Sequence, residues 1–169
     1  MCQVPWLVIH PDSVNDEAGY SRKKSLASET ERFKRFGELA AKYGTGIAIE
    51  NMVDHLGIGY GRRFGCNAED LLELLDKLNA DDIFGICWDT GHANLAQVNQ
   101  PAAIQQIGSR LKALHINDNR GEKDDHLLPY LGYVEWTPLL KSLADVNYQG
   151  DFTLSLIHIS EPTRPEPIS

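Results

Sequence analysis

Residues 84–89 read Phe84-Gly85-Ile86-Cys87-Trp88-Asp89, an almost unbroken apolar run closed by a carboxylate. A short apolar run of this kind is the pattern of a strand buried on both faces, as in a parallel sheet covered by helices. The arrangement recurs on either side. Trp6-Leu7-Val8-Ile9 is closed by His10-Pro11, and Gly46-Ile47-Ala48-Ile49 by Glu50-Asn51. Leu111 to Ile116 carries His115 and runs into Asn117-Asp118, and Phe152-Thr153-Leu154 begins a fifth strand.

Helical patterns fill the intervals. Residues 28–43 place Phe33, Phe36, Leu39 and Ala40 on one face and stop at Gly44, a natural C-terminal residue. Asn67 caps the next helix, with Asp70 three residues on and an apolar stripe of Leu71, Leu72, Leu74, Leu75 and Leu78. Pro101 opens a helix that runs to Ile107, and Thr137 to Val146 form another.

Strand–helix alternation of this kind predicts a parallel sheet with helical cover, met by a doubly wound sheet or by a (β/α)₈ barrel. The polar residues decide between them. Successive strands end in His10, Glu50, Asp89 and His115, and chemistry assembled from several strand ends is the barrel's signature. A doubly wound nucleotide binder would carry a glycine fingerprint opening its first helix. Gly57-Ile58-Gly59-Tyr60-Gly61 lacks the G-x-G-x-x-G spacing and opens no helix. A complete barrel needs about 250 residues, and the chain has 169. The expected fold is therefore α/β: a partial (β/α)₈ TIM barrel over residues 1–154, roughly strands 4 to 8, truncated at both ends.

Composition bounds the function. Hydrophobic content of 42% with 24% charged residues is that of a folded, water-soluble domain. A net charge of −8 argues against nucleic-acid and membrane-surface binders, which need a basic face. No apolar run approaches the roughly 20 residues of a membrane span, and the first residues lack the pattern of an export signal. Cys2, Cys66 and Cys87 are odd in number and far apart, which predicts free thiols in a reducing cytoplasm.

Glu50, Asp89 and His115 each follow an apolar run and would project into the mouth of the barrel. Two carboxylates and an imidazole suit one divalent metal: Mn²⁺, Mg²⁺, Co²⁺ or Zn²⁺. The segments Ile47-Ala48-Ile49-Glu50-Asn51, Cys87-Trp88-Asp89-Thr90-Gly91-His92-Ala93-Asn94 and His115-Ile116-Asn117-Asp118-Asn119 through Asp124-Asp125-His126-Leu127-Leu128-Pro129 resemble the sugar phosphate isomerase/epimerase family. That family belongs to the xylose isomerase-like TIM barrels and is related to the AP endonucleases of the same fold.

The resemblance implies a metal held by Glu, Asp, His and Glu from consecutive strands, the first three being Glu50, Asp89 and His115. The fourth position falls just past Leu154, at Ser155. From there to residue 169 the sequence closely resembles the conceptual translation of a transposon-end sequencing adapter, so this tail is expected to be non-native. The resemblance also implies substrate binding by His92, Asn51 and Asp118. It marks His10, Asp124 and His126 as ligands of additional metals in the AP-endonuclease relatives, or as substrate contacts. Trp136 is expected to pack. Tyr130 follows Pro129 where the family commonly has glycine.

The implied chemistry is isomerisation or epimerisation of a sugar, sugar phosphate or related polyol-ketone through an enediolate, with Glu50 as a base that moves the proton. A hydride shift is a second route. The rivals are an AP endonuclease-like zinc phosphodiesterase and a non-catalytic sugar-binding barrel. A small-molecule sugar, no nucleic acid and no membrane are the expected partners, with an oligomer left open. The fragment alone is expected to be inactive and to associate.

Overall fold

The computed structural model describes residues 4–17, 19–54 and 63–155. Cys2, the glycine-rich segment 57–61 and the tail from 156 lie outside the described residues. In chain order, β1 (Trp6–Ile9) is followed by a two-residue hairpin, β2 (Asn15–Asp16) with β3 (Gly19–Tyr20), and by α1 (Arg22–Tyr43). Then come β4 (Gly46–Glu50), α2 (Ala68–Leu78), β5 (Phe84–Asp89), α3 (Thr90–Leu95) and α4 (Gln100–Ile107). β6 (Leu111–Ile116), α5 (Trp136–Asp145) and β7 (Phe152–Leu154) complete the order.

The main sheet has five strands in the order β1-β4-β5-β6-β7, and every pairing in it is parallel. Neighbours in space are neighbours in sequence, joined by helical crossovers, as in one half of an eight-stranded barrel. Ile47, Ile49, Phe84, Ile86, Trp88, Leu114 and Ile116 point outward into one core with Phe33, Leu71, Leu74, Leu75, Ile104 and Leu139. By alternation, Gly46, Ala48 and Glu50, then Gly85, Cys87 and Asp89, and His115 point inward. The two glycines leave room there for side chains that cross the interior. A Cβ at Gly46 would overlap the Trp6 ring and one at Gly85 the Lys112 stem. Lys112 in turn holds its ammonium 5.7 Å from the centre of the Trp6 ring, closing the end of the half-barrel away from the strand C-termini.

Helices α1, α3, α4 and α5 and the β2–β3 hairpin differ from the sequence expectation, α5 only by running Trp136–Asp145 instead of 137–146. Helix α1 begins at Arg22, with Ser21 as its N-cap, six residues before the expected Ser28. Its first turns are held by buried polar groups that apolar periodicity does not register. Ser25 accepts from the Val14 N–H, and Glu29 accepts from the Asp12 N–H while pairing with Arg32. Leu39, expected on the buried face, is 55% exposed. Helix α3 was not visible as a pattern: it is one short turn capped by the Asp89 carboxylate, which accepts the His92 N–H at 2.8 Å. Helix α4 starts at Gln100 under an Asn99 cap, one residue before the expected proline.

Among the described residues β1 pairs only with β4 and β7 only with β6. Leu7, Val8, Phe152 and Leu154 on these two edge strands are exposed. No helix among the described residues is long and apolar enough to cross a membrane.

Candidate metal centre

Glu50, Asp89 and His115 meet at the C-terminal ends of β4, β5 and β6, where parallel strands deliver side chains to a common mouth. Glu50 is the hub. Its Oε1 lies 3.0 Å from His115 Nδ1 and 3.5 Å from His92 Nδ1, and its Oε2 accepts from His10 Nε2 at 3.1 Å. His115 Nδ1 lies 4.0 Å from Asp89 Oδ2. Ligand atoms of Glu50, Asp89 and His92 all fall within 4.8 Å of one another, as do those of Glu50, Cys87 and His115. The expected trio is thus divided between two compact sets that share Glu50, one with Asp89 and His92 of α3 and the other with His115 and Cys87 from within β5, and Asp89 and His115 approach each other to 4.0 Å. Oxygen and nitrogen donors at this spacing fit a divalent cation of the hard or borderline class.

The electrostatics match that purpose. Burial alone would favour a neutral Glu50, but hydrogen bonds from His10 and His115 outweigh it and hold the carboxyl at about 2. Burial pushes Asp89 up. The hydrogen bond to Glu50 raises His115, against the burial that opposes it. A protonated imidazole and a divalent cation thus compete for the same carboxylate oxygens.

Asp89 is clamped. Asn117 donates its amide to both carboxylate oxygens at 3.0 and 2.9 Å, and Asn51 brackets the backbone, accepting the Asp89 N–H and donating to the Asp89 carbonyl. Thr90 donates to the Asn117 carbonyl and accepts the Asn117 N–H, tying the β5 and β6 ends together. A Cβ at Gly91 would overlap Asn117 Oδ1, so this clamp closes only over glycine.

His92, Asp124 and His126 form a second string. His92 donates Nδ1–H to the Asn51 carbonyl at 2.8 Å and places Nε2 3.5 Å from Asp124 Oδ2. His126 Nε2 lies 3.1 Å from the same Asp124 oxygen, and its Nδ1–H donates to the Ser155 carbonyl at 2.6 Å. Asp124 Oδ1 is buried without a hydrogen-bond partner. Burial disfavours a charged His92, yet the hydrogen bond to Asp124, the nearby Asp89 and the Asn51 carbonyl raise it to about 9.

Two expected substrate contacts sit beside the mouth with their polar atoms already engaged. Asn51 is fully buried, and its side chain serves the Asp89 backbone. Asp118 is fully buried as well. Its Oδ1 accepts the Asn119 and Val134 N–H groups, and its Oδ2 accepts the Trp136 indole N–H at 2.8 Å, bracing the loop between β6 and α5. Trp136 packs in the core as expected. Tyr130 adopts a left-handed φ of 70°, the conformation a glycine would take, with its ring 5.8 Å from that of Trp136. Asn117 and Cys87 escaped the sequence expectation. Period-two alternation from Asp89 would have pointed to Cys87, whereas nothing in the pattern marks Asn117.

The family model described as the xylose isomerase-like TIM barrel matches residues 1–167. The chain belongs to that family. Among curated relatives, the Sinorhizobium fredii protein y4fM is 32% identical over 151 residues, covering 86% of this chain and 45% of its own length. Fructoselysine 3-epimerase of Escherichia coli O157:H7 is 26% identical over 137 residues, 78% of this chain and 46% of the enzyme. This xylose isomerase-like chain thus spans about half the length of the curated relatives it matches. Its half-barrel superposes on a D-tagatose 3-epimerase-like protein with a TM-score of 0.74 at 26% identity, covering 89% of this chain and 54% of that one. The IolI protein, solved with a zinc atom bound, shares the fold at a TM-score of 0.73 and 19% identity, over 89% of this chain and 53% of the other.

Proposed function

We propose that the chain carries the metal-binding half of a divalent-metal-dependent sugar isomerase or epimerase. The observation that supports it most directly is the Glu50 hub, a buried carboxylate held ionised with Asp89, His115 and His92 around it. Sugar 3-epimerases among the relatives point the same way.

Glu50, Asp89 and His115 would hold the cation, of the Mn²⁺, Mg²⁺, Co²⁺ or Zn²⁺ class. When bound, the cation supplies Lewis acidity toward a carbonyl and its neighbouring hydroxyl. The chain's own residues do the rest. Glu50 is ionised and would take the proton from the C–H beside a ketose carbonyl, leaving an enediolate, once a bound cation has displaced the histidine protons from its oxygens. His92, carrying a proton near neutral pH, offers positive charge where that enediolate forms. Epimerisation needs a second carboxylate on the opposite face. The position that the resemblance gives it holds Ser155, whose hydroxyl lies 3.4 Å from His126 Nδ1. The half-reaction at Glu50 belongs to this chain, and turnover to the whole enzyme.

Proton exchange from deuterated solvent into a ketohexose, run with the Mn²⁺-loaded parent enzyme, tests this. Deuterium at the carbon beside the carbonyl, lost in Glu50→Gln, is the expected result. Its absence across a broad sugar panel would count against the proposal.

A zinc phosphodiesterase is the second candidate, favoured by one observation: His10, Asp124 and His126 line the same mouth within hydrogen-bond range of Glu50 or of each other. The acidic balance of the chain opposes it. One metal per complete enzyme supports the isomerase, and a zinc cluster the nuclease.

A further inference from the structure

The inward face of β5 carries a thiol that the isomerase chemistry does not use. We propose that Cys87 is a thiolate ligand on the floor of the mouth, giving the centre a second ligand set, Glu50–Cys87–His115, for a thiophilic divalent cation of the zinc and cadmium class. The proposal rests on the metal reading of the Glu50 hub given above.

Three observations carry it. Cys87 is the register partner of Glu50 across β4 and β5, and of Ala113 across β5 and β6, so its sulfur is flanked by the hub carboxylate on one side and a small side chain on the other. Its Sγ, a Glu50 carboxylate oxygen and a His115 ring nitrogen lie within 4.8 Å of one another, the same closeness as the Glu50–Asp89–His92 set. Finally, Cys87 is completely buried, so its sulfur is kept from water and from bulk oxidants.

Ligand softness then sorts the ions. Hard cations favour carboxylate oxygens, and borderline or soft ones favour thiolate. Mg²⁺ or Mn²⁺ would stay with Glu50, Asp89 and His115, whereas Cd²⁺, and Zn²⁺ insofar as it prefers sulfur to the second carboxylate, would sit one inward position deeper with Cys87. Both sets need Glu50, so the two occupancies exclude each other, and a thiophilic ion would displace the working one. Burial and the neighbouring Glu50 and Asp89 charges keep the Cys87 thiol protonated in the metal-free chain, so the ion must expel that proton: the S–H bond breaks, a sulfur–metal bond forms and the proton leaves to solvent. No oxidant or reductant takes part.

The test is a titration of the metal-free chain with Cd²⁺, followed by the sulfur-to-cadmium charge-transfer absorption in the short-wavelength ultraviolet as a difference spectrum, with Mn²⁺ binding measured in parallel. The expected result is a band that saturates near one equivalent, absent with Mn²⁺ and abolished in Cys87→Ser, which keeps its Mn²⁺ affinity. Loss of a direct ligand should weaken Cd²⁺ binding by at least the roughly tenfold typical of losing a supporting contact. The double variant C2S/C66S leaves Cys87 as the sole cysteine and should keep the band, so it decides the matter even where Cys87→Ser fails to fold. Cadmium binding without the band, a band that survives in Cys87→Ser, or its loss in C2S/C66S would overturn the inference and leave the metal reading intact. A chain that binds neither ion overturns the metal reading itself.

Discussion

The side-chain amide of Asn117 donates to both carboxylate oxygens of Asp89, at 3.0 and 2.9 Å. Those oxygens can still meet a cation, but only from the direction the amide leaves open, so Asn117 sets how Asp89 faces the mouth. Partners of this kind are typically worth about 10- to 100-fold in metal affinity. Asn117→Ala should weaken Mn²⁺ binding by that factor with little change in helix content, measured by calorimetric titration and circular dichroism. Unchanged affinity would assign Asn117 to packing alone.

Gly91 closes the same clamp. Any Cβ there meets Asn117 Oδ1, and forcing an atom into a packed core costs about 1–3 kcal/mol. Gly91→Ala should lower stability to urea by that amount and weaken metal binding as well, because the displaced amide is the one holding Asp89. A destabilised variant with full affinity would separate the two roles and contradict the clamp.

Protonation should oppose metal binding. His115 is raised above its usual 6.5 by its hydrogen bond to Glu50, so it holds a proton more readily at neutral pH than a free histidine. A cation must expel that proton, and affinity should therefore rise with pH through the His115 transition, with proton release visible as a buffer-dependent heat. His92 gives a matching effect on the metal-free fold. Its folded value of about 9 lies above the ordinary 6.5, so its stabilising contribution is complete below 6.5 and is lost as pH rises toward 9. His92→Gln should flatten stability across that window. An unchanged slope would remove His92 from the account.

At Tyr130 the usual order of Ala over Gly should reverse. Its φ of 70° is a conformation that costs a non-glycine residue about 1–2 kcal/mol. Tyr130→Ala keeps that strain and loses the ring beside Trp136, whereas Tyr130→Gly loses the ring and relieves the strain. Thermal melts should rank Gly above Ala by about 1 kcal/mol. The opposite ranking would show that the turn relaxes on substitution.

The edge strands predict behaviour in solution. β1 and β7 each have one partner strand among the described residues and expose Leu7, Val8, Phe152 and Leu154. Unpaired apolar edges recruit other chains. Expressed alone, the 169-residue chain should associate in a concentration-dependent way on a sizing column, and a monodisperse monomer would contradict this.

Much of this was legible in the sequence because its carriers are periodic. Ile47 and Ile49, or Ile86 and Trp88, announce buried parallel strands, and Glu50, Asp89 and His115 are ionisable residues where an apolar run ends. What was not legible is held by hydrogen bonds with no period. Ser25 and Glu29 start α1 early by satisfying loop N–H groups. The family resemblance marks Asp118 as a substrate contact, and the sequence gives no sign that its carboxylate accepts from Val134 and Trp136, up to eighteen residues away. Such long-range pairing appears only once the chain is folded.

The central claim is that Glu50, Asp89 and His115 form one divalent-metal centre. Titrating metal-free chain with Mn²⁺ while recording the loss of its free electron-spin resonance signal tests it most directly. One ion bound per chain, with binding abolished in Glu50→Gln and in Asp89→Asn but kept in the surface variant Lys141→Ala, is the predicted result. Binding that survives both carboxylate substitutions would contradict it.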